Sequence, residues 1–394
     1  MTRHAQRALG PFFVVIALVA FNLRDALTSV PTVLADIQDA TGANEVMLGA
    51  LTTIPVLCMG ALALAVPFLA ARFGATRTVW AALAILSIAT GMRLWADVPG
   101  VLPVSVLLAG TGIALATGLV PGIIRTQAPD RIGTATGVWT GAMFIGAALG
   151  ASATVPLASA FGSWQAGLAF WAIPALIGLV AWTIYERPFS TPVTSGPPLR
   201  LAHLPWRDPI AMALTAWVAV NSIVFYSSVA WLAPSFTARG LTQAQSGLVF
   251  GFFTCVQIVG AFAMPQLIHR TQRPRTLLTV VVLIGAASLV VLALGSTTLA
   301  VLALITYALS LSAGFTSGLA LIPMSTQDGP GAARLTAVVF TITYLFAAIG
   351  PIVCGAIVQA TGSWVLLFLV LAAVQLTQAL PVPWLRKGAQ VQQD

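Results

Sequence analysis

Twelve apolar segments, each long enough to cross the hydrocarbon core of a bilayer, constrain the fold of this chain more than any other feature of its sequence. A spanning helix needs about 20 mostly apolar residues. The segments lie at about 10–38, 44–71, 78–96, 101–126, 133–160, 165–185, 209–235, 243–268, 277–294, 299–325, 334–360 and 363–385. Because backbone polar groups in lipid must be bonded within their own segment, we predict twelve transmembrane α-helices.

Charge is scarce along the whole chain. Charged residues make up 7% of the 394 and hydrophobic residues 58%, whereas a soluble domain carries about 25% charged residues. So few charges cannot cover a surface in water, and we expect the chain to lie in a lipid bilayer. The formal net charge of +8 comes without the basic clusters and base-reading partners of a nucleic-acid-binding surface. We therefore expect no nucleic-acid partner.

The basic residues are distributed unevenly between the predicted loops. With the N-terminus inside, all but three of the 18 lysines and arginines face the cytoplasm; Arg93 and Arg239 fall on the outer side, and Arg24 lies within a span. The positive-inside rule therefore predicts that both termini are cytoplasmic. We interpret the short basic start of the chain as the flank of a retained helix, not as a signal peptide.

The two sets of six segments are joined by a stretch rich in proline and polar residues. We predict an N-terminal six-helix bundle (1–185), a cytoplasmic linker (186–208) and a C-terminal six-helix bundle (209–394). The halves are similar in places: "PFLAARFGATRT" (67–78) matches "PQLIHRTQRPRT" (265–276), and Asn22 falls opposite Asn221. Such an internal duplication predicts an all-α membrane protein built as two pseudo-symmetric six-helix bundles.

Several motifs resemble known transporter families. "LAARFGATR", after the second segment, resembles the loop signature of the major facilitator superfamily, although Ala71 occupies the place of its usual acidic residue. Over nearly the whole chain, "NLRDALTSVPTVLADI", "FWAIPALIGLVAW" and "NSIVFYSSVAWLAP" resemble the cyanate and 2-nitroimidazole transporter family. This resemblance implies the major facilitator fold and secondary transport of small nitrogen-containing anions or polar heterocycles. That family's first helix typically reads N-x-R-P; here Asp25 replaces the proline, so the substrate need not be that of either named member.

The first span carries a polar cluster near its middle. On a helix, Arg24, Asp25 and Thr28 fall within a sector of about 100°. An arginine at the bilayer centre costs about 2.5–3.5 kcal/mol, so Arg24 should face a cavity or a partner. We interpret Arg24 as the group that binds an anionic or electron-rich substrate; alternatively, it pairs with Asp25 or with backbone carbonyls and holds helices together. Asp25 is either the group that couples transport to a proton or a permanent counter-ion.

The other candidate site residues are polar or aromatic side chains near mid-membrane depth, and each could line the substrate site or bridge helices. They are Asn22, Thr28, Thr52 and Trp139 in the N-terminal half, and Asn221, Tyr226, Gln257 and Tyr344 in the C-terminal half. The C-terminal half has no predicted charge at this depth, which favours a compact substrate with one charge or a strong dipole. A ridge of glycines on the fifth span predicts close helix packing: Gly133, Gly137, Gly141, Gly146 and Gly150.

Several function classes lack the residues that they require. The sequence has no GxxxxGK[ST] motif for an ATP-driven step, and its three cysteines lie in separate spans without CxxC spacing. The three histidines lie in predicted cytoplasmic segments, so we expect neither a metal nor another cofactor. A membrane enzyme needs a nucleophile with a base, or paired carboxylates, and Asp25 is the one carboxylate at mid-membrane depth. We therefore do not expect an enzyme.

These observations favour a monomeric secondary transporter of the bacterial inner membrane that moves a small anionic or polar nitrogen-containing solute by alternating access. The alternative is a broad-specificity drug exporter that works as a proton antiporter. "FAAIGPIVCGA" in the eleventh span supports it, because helices containing Gly-Pro are common in antiporters of this superfamily. Arg24 argues against it, since such an exporter favours a large aromatic pocket without a fixed ion. The direction of transport and the coupling ion, a proton included, stay open.

Overall fold

The computed structural model describes residues 3–186, 205–326 and 329–385 and residue 391. Within these ranges the chain is helical and contains no β-strand. Twelve candidate membrane spans occur among the described residues, which confirms the predicted all-α fold of twelve transmembrane helices. Most of the predicted linker, together with His203, lies outside the described residues.

The helices follow the apolar segments closely. In the N-terminal half they are α1 (Arg3–Thr28), α2 (Leu34–Thr41), α3 (Glu45–Ala63), α4 (Val66–Phe73), α5 (Ala75–Gly91), α6 (Val101–Gln127), α7 (Ile132–Phe161), α8 (Trp164–Ala169) and α9 (Ala172–Glu186). In the C-terminal half they are α10 (Pro209–Thr237), α11 (Gln243–Arg270), α12 (Pro274–Leu294), α13 (Thr297–Met324), α14 (Gly329–Ala347), α15 (Ile349–Thr361) and α16 (Trp364–Thr377).

The first predicted span is interrupted. A single helix was expected over about 10–38, but α1 ends early, a 3-10 turn covers Val30–Val33, and α2 follows. Pro31 lies in this turn, and because proline has no N–H, the carbonyl of Leu27 loses its helical donor. The helix runs unbroken through Asp25, so the break falls just beyond the polar cluster.

The two halves contact each other along two pairs of spans. α3 packs against α14 and α15, and α7 packs against α11. A glycine allows one of these close approaches, since a Cβ on Gly49 would lie 2.6 Å from the carbonyl oxygen of Pro351. At the end of the bundle that carries α2, the Asp36 carboxylate accepts a hydrogen bond of 3.1 Å from Gln243 at the start of α11. The halves are therefore joined at this end.

The glycine ridge predicted on the fifth span makes close contacts over only part of its length. A Cβ on Gly146 would clash with the carbonyl oxygen of Phe21, and one on Gly150 would also meet α1. This part of α7 therefore lies directly against α1. At Gly133 and Gly141, by contrast, no described atom outside the helix lies within 4 Å of a Cβ, so the packing expected there is absent.

We expect Gly146→Ala to lower the free energy of unfolding by about 1–3 kcal/mol, because the added methyl group has no room against the backbone of α1. Gly141→Ala is the matched control on the same helix, and it should be neutral or stabilising by about 0.5–1 kcal/mol. Thermal unfolding in detergent micelles measures both. Equal melting temperatures for the two variants would contradict the described packing of α7 on α1.

Candidate substrate-binding site

Arg24 lies on the face of α1 that is turned toward the other half of the molecule. Its side chain is half-buried, and the guanidinium carbon is 5.6 Å from the ring centroid of Phe225 on α10. Its charge also acts on the hydroxyl group of Tyr344 on α14. In the described part of the chain, the guanidinium group has neither a hydrogen-bond partner nor an ion-pair partner. Arg24 can therefore donate hydrogen bonds to an acceptor that lies between the two halves.

Four aromatic side chains of the C-terminal half stand opposite Arg24, and we call them the aromatic wall: Phe225, Tyr226, Phe340 and Tyr344. Tyr226 meets Phe225 edge-on at 5.0 Å and Tyr344 at 6.2 Å, and Tyr344 stacks on Phe340 at 5.6 Å with an interplanar angle of 9°. Such offset and edge-to-face contacts hold rings in fixed orientations. The sequence predicted the two tyrosines as site residues and missed the two phenylalanines.

Asp25 points away from this region. Consecutive residues of a helix project about 100° apart, and Asp25 is buried to 1% exposure. Its Oδ1 accepts a hydrogen bond of 2.5 Å from the backbone N–H of Ala26, while its Oδ2 is buried without a hydrogen-bond partner. In the described part of the chain, this carboxylate forms no ion pair with Arg24. Asp25 is therefore not the counter-ion of Arg24.

The sequence placed Arg93 on the outer side of the membrane, and the structure describes it at the end of the third span, in the 3-10 turn Met92–Trp95. Its side chain is completely buried. Nε donates to Ser105 Oγ at 3.0 Å, Nη1 to Ser29 Oγ at 3.2 Å and Nη2 to the carbonyl oxygen of Ala26 at 2.9 Å. The last carbonyls of a helix lack helical donors and carry partial negative charge. The guanidinium therefore stabilises the end of α1, and in the described part of the chain Asp25 and Arg93 are the buried charged side chains.

Three of the predicted site residues join helices within one half. Asn22 Nδ2 donates to the carbonyl oxygens of Leu18 (2.7 Å) and Pro174 (3.0 Å), which connects α1 with α9. Asn221 Nδ2 donates to the carbonyl oxygen of Leu311 on α13 at 3.1 Å. Thr28 bridges in the same way, from its Oγ1 to the carbonyl oxygens of residues 24 and 147, both at 2.9 Å. These contacts favour a packing role for all three side chains.

The contacts of the remaining predicted site residues assign them neither to the substrate site nor to a bridge between helices. Gln257 is buried, and its Nε2 reaches the carbonyl oxygen of Phe253 in its own helix at 3.5 Å. Thr52 and Trp139 are buried, and neither side chain has a hydrogen bond in the described part of the chain. Trp139 lies two helical turns from Gly146, on the face of α7 that packs against α1. In the described part of the chain, no hydrogen bond, ion pair or ring contact joins these three side chains to Arg24.

Two six-helix halves with a polar group at the interface between them are typical of a secondary membrane transporter. The model of the Major Facilitator Superfamily matches residues 13–328. The chain therefore belongs to the Major Facilitator Superfamily, which confirms the membership expected from the motifs.

Relatives with named substrates cover most of the chain. It is 28% identical to the 2-nitroimidazole transporter of Escherichia coli (strain K12), with 93% of this chain and 92% of the relative covered. It is 30% identical to the cyanate transport protein CynX of the same organism over 271 residues, which are 68% of this chain and 70% of the relative. The crystal structure of a D-xylose-proton symporter superposes with a TM-score of 0.77 at 14% identity, covering 97% and 98% of the two chains. That likeness shows the fold.

We expect Asn22→Leu to lower the free energy of unfolding by about 1 kcal/mol, because it removes the bond between α1 and α9. Ligand affinity should stay the same, since the amide group of Asn22 faces the interior of the N-terminal half. The melting temperature without ligand and the dissociation constant of a bound ligand separate the two effects. A weaker affinity at an unchanged melting temperature would instead make Asn22 a binding residue.

Proposed function

We propose that this chain is a secondary transporter of the bacterial inner membrane that moves small, flat, nitrogen-containing solutes with one negative charge or a strong dipole. The observation that carries the proposal is the position of Arg24, which is half-buried at the interface of the halves and has no partner in the described part of the chain. A dehydrated guanidinium group at membrane depth is costly. A substrate with acceptor atoms would offset that cost with charge-assisted hydrogen bonds.

The aromatic wall supports the choice of a flat substrate. Phe225 and Phe340 are partly buried, whereas Tyr226 and Tyr344 are almost fully buried. A planar solute could contact a ring face and turn its acceptor edge to Arg24 at the same time. The names of two relatives, a 2-nitroimidazole transporter and a cyanate transport protein, agree with solutes of this chemistry.

The alternative function is a broad-specificity drug exporter driven by proton antiport, and the four rings of the aromatic wall are the observation that favours it. Rings alone suit many apolar drugs. A fixed cation facing these rings favours anions and strong dipoles instead. The transport of anionic or dipolar solutes therefore accounts for Arg24 and for the wall together.

The orientation and the coupling ion belong to the same proposal. With Arg93 buried inside the N-terminal half, Arg239 is the remaining basic residue of the predicted outer side, so the asymmetry that supports cytoplasmic termini becomes stronger. Asp25 is buried within the N-terminal half with almost no exposure. Its burial favours a role other than direct proton exchange with a substrate bound at Arg24. The halves of one chain supply both sides of the site, which fits a monomer.

Arg24→Gln should abolish the stabilisation of the purified protein by nitrate, cyanate or 2-nitroimidazole, because glutamine offers no charge and no two-pronged donor. A ligand present at 100 times its dissociation constant stabilises a folded protein by about 2.7 kcal/mol, which a thermal-shift measurement detects. Asn22→Leu serves as the control, with its ligand-induced shift retained. If Arg24→Gln kept the full shift, Arg24 would not be the binding group.

Replacing a ring of the aromatic wall distinguishes heterocycles from small linear anions. Phe225→Leu should weaken the binding of 2-nitroimidazole by about three- to tenfold, because ring contacts contribute about 0.5–1.5 kcal/mol beyond area burial. The binding of cyanate, which has no ring to stack, should change much less. Dissociation constants of both ligands for the two proteins provide the measurement, and an equal loss for both ligands would contradict a stacking role for Phe225.

A further inference from the structure

The hydroxyl group of Tyr226 lies at the boundary between the two halves. Its Oη is 3.8 Å from the sulfur atom of Met59 on α3, so this contact crosses from the C-terminal half to the N-terminal half. Both side chains are buried. A thioether sulfur is a weak acceptor, so the buried hydroxyl group has exchanged its hydrogen bonds to water for a weak contact. A stronger acceptor at this position would therefore be favourable.

Other buried ring donors of the C-terminal half are bonded to oxygen atoms. The Tyr307 hydroxyl group lies 2.5 Å from Ser228 Oγ, and the indole N–H groups of Trp217 and Trp231 donate to backbone carbonyl oxygens at 2.7 and 2.8 Å. These three bonds join helices within one half, as packing contacts do. The Tyr226 hydroxyl group instead meets a sulfur atom of the other half, and this difference calls for a role besides packing.

Tyr226 and Arg24 both adjoin the ring of Phe225. The rings of Tyr226 and Phe225 meet edge-on at 5.0 Å, and the guanidinium carbon of Arg24 lies 5.6 Å from the same Phe225 ring. A solute that Arg24 holds at this ring is therefore next to the side chain of Tyr226. Such a solute could accept hydrogen bonds from both halves of the molecule.

The backbone at Met59 is fixed beside the aromatic wall by the close approach of α3 to α14. A Cβ on Gly60, the next residue, would lie 2.8 Å from the backbone nitrogen of Leu345, which follows Tyr344 directly. The side chain of Met59 is less constrained, because methionine is unbranched and has three rotatable bonds. It can turn its sulfur atom away from Tyr226 while the backbone of α3 stays in place.

We propose that Met59 is a specificity-determining residue, whose sulfur atom occupies the Tyr226 hydroxyl group in the empty protein and gives way to an acceptor atom of the substrate. The inference rests on the proposed function and adds a second donor to it. The substrate class then narrows to solutes with at least two acceptor atoms, one for Arg24 and one for Tyr226. Nitrate and the nitro group of 2-nitroimidazole meet this requirement, and a negatively charged acceptor forms a stronger bond than a neutral one.

Graded substitution of Met59 tests the inference, with nitrate as the probe. Met59→Leu nearly keeps the volume and removes the acceptor, so it should tighten nitrate binding by about two- to fivefold. Met59→Gln supplies an amide oxygen, which is a stronger acceptor, and should weaken nitrate binding by about two- to tenfold. Tyr226→Phe should weaken it by about tenfold or more, because a hydrogen bond to a charged group is lost. In the Tyr226→Phe background, both Met59 substitutions should leave the nitrate affinity unchanged.

Tyr307→Phe is the matched control, because it removes a buried hydroxyl group of the same half that is bonded to Ser228. Ser228 Oγ still donates to the carbonyl oxygen of Val224 at 2.8 Å, so its hydroxyl group keeps an acceptor. The melting temperature should fall, and the nitrate affinity should stay the same. A loss of affinity as large as that in Tyr226→Phe would show that the loss of any buried hydroxyl group disturbs the site, and it would overturn the inference.

The inference and the function on which it rests fail in different ways. Retained nitrate binding by Arg24→Gln, or no nitrate binding by the wild type, would overturn both. Loss of binding in Arg24→Gln together with wild-type affinity in Tyr226→Phe would overturn the inference alone, and so would an effect of Met59→Leu that persists in the Tyr226→Phe background. If Met59→Gln or Tyr226→Phe does not fold, Met59→Leu decides, and an unchanged or weaker nitrate affinity then overturns the inference.

Discussion

The bonds from the buried guanidinium group of Arg93 to the end of α1 are the interaction on which the rest of the site depends. A buried cation is tolerated when its donors are bonded and an opposite charge is near, and here the donors meet Ser105, Ser29 and the carbonyl of Ala26. They hold the first span where it changes from α-helix to 3-10 turn. Arg24 lies within one turn of this point, so its direction follows from the same contacts.

The two halves contribute different chemistry to the site. The N-terminal half supplies the charge of Arg24, and the C-terminal half supplies aromatic rings. At the candidate site, the guanidinium group of Arg24 lies over the ring of Phe225. Such a contact contributes about 0.5–1 kcal/mol when exposed and about 2 when dehydrated. A substrate can replace a contact of this strength with charge-assisted hydrogen bonds. A ligand shifts a conformational equilibrium only by its differential affinity for the two states, and the proposed site, which both halves share, would provide that difference.

The fold could be predicted from sequence almost entirely, because lipid requires long apolar helices and hydropathy marks them. The sequence also predicted Arg24 as a site residue, because an arginine in an apolar span is costly unless it faces a cavity or a partner. The direction of the Arg93 side chain could not be predicted. At the end of a span, the same local sequence fits an arginine that extends to the membrane interface and one that turns into the protein. The sequence shows that Asn22 is polar, but the direction in which its side chain points depends on the rotation of α1 about its own axis. Phe225 was one apolar residue among many.

Spans are broken in both halves, and two of these breaks, at the end of α1 and between α14 and α15, are bonded differently. The end of α1 is held by Arg93 from the same half. Between α14 and α15, the carbonyl oxygen of Ala348 accepts a hydrogen bond of 2.7 Å from Thr53 Oγ1, which belongs to the other half. In the alternating-access cycle that we propose, Arg24 and Arg93 move together because they belong to the same half, whereas the Thr53 contact between the halves can break. The distance from Arg24 to the aromatic wall is then the quantity that the cycle changes.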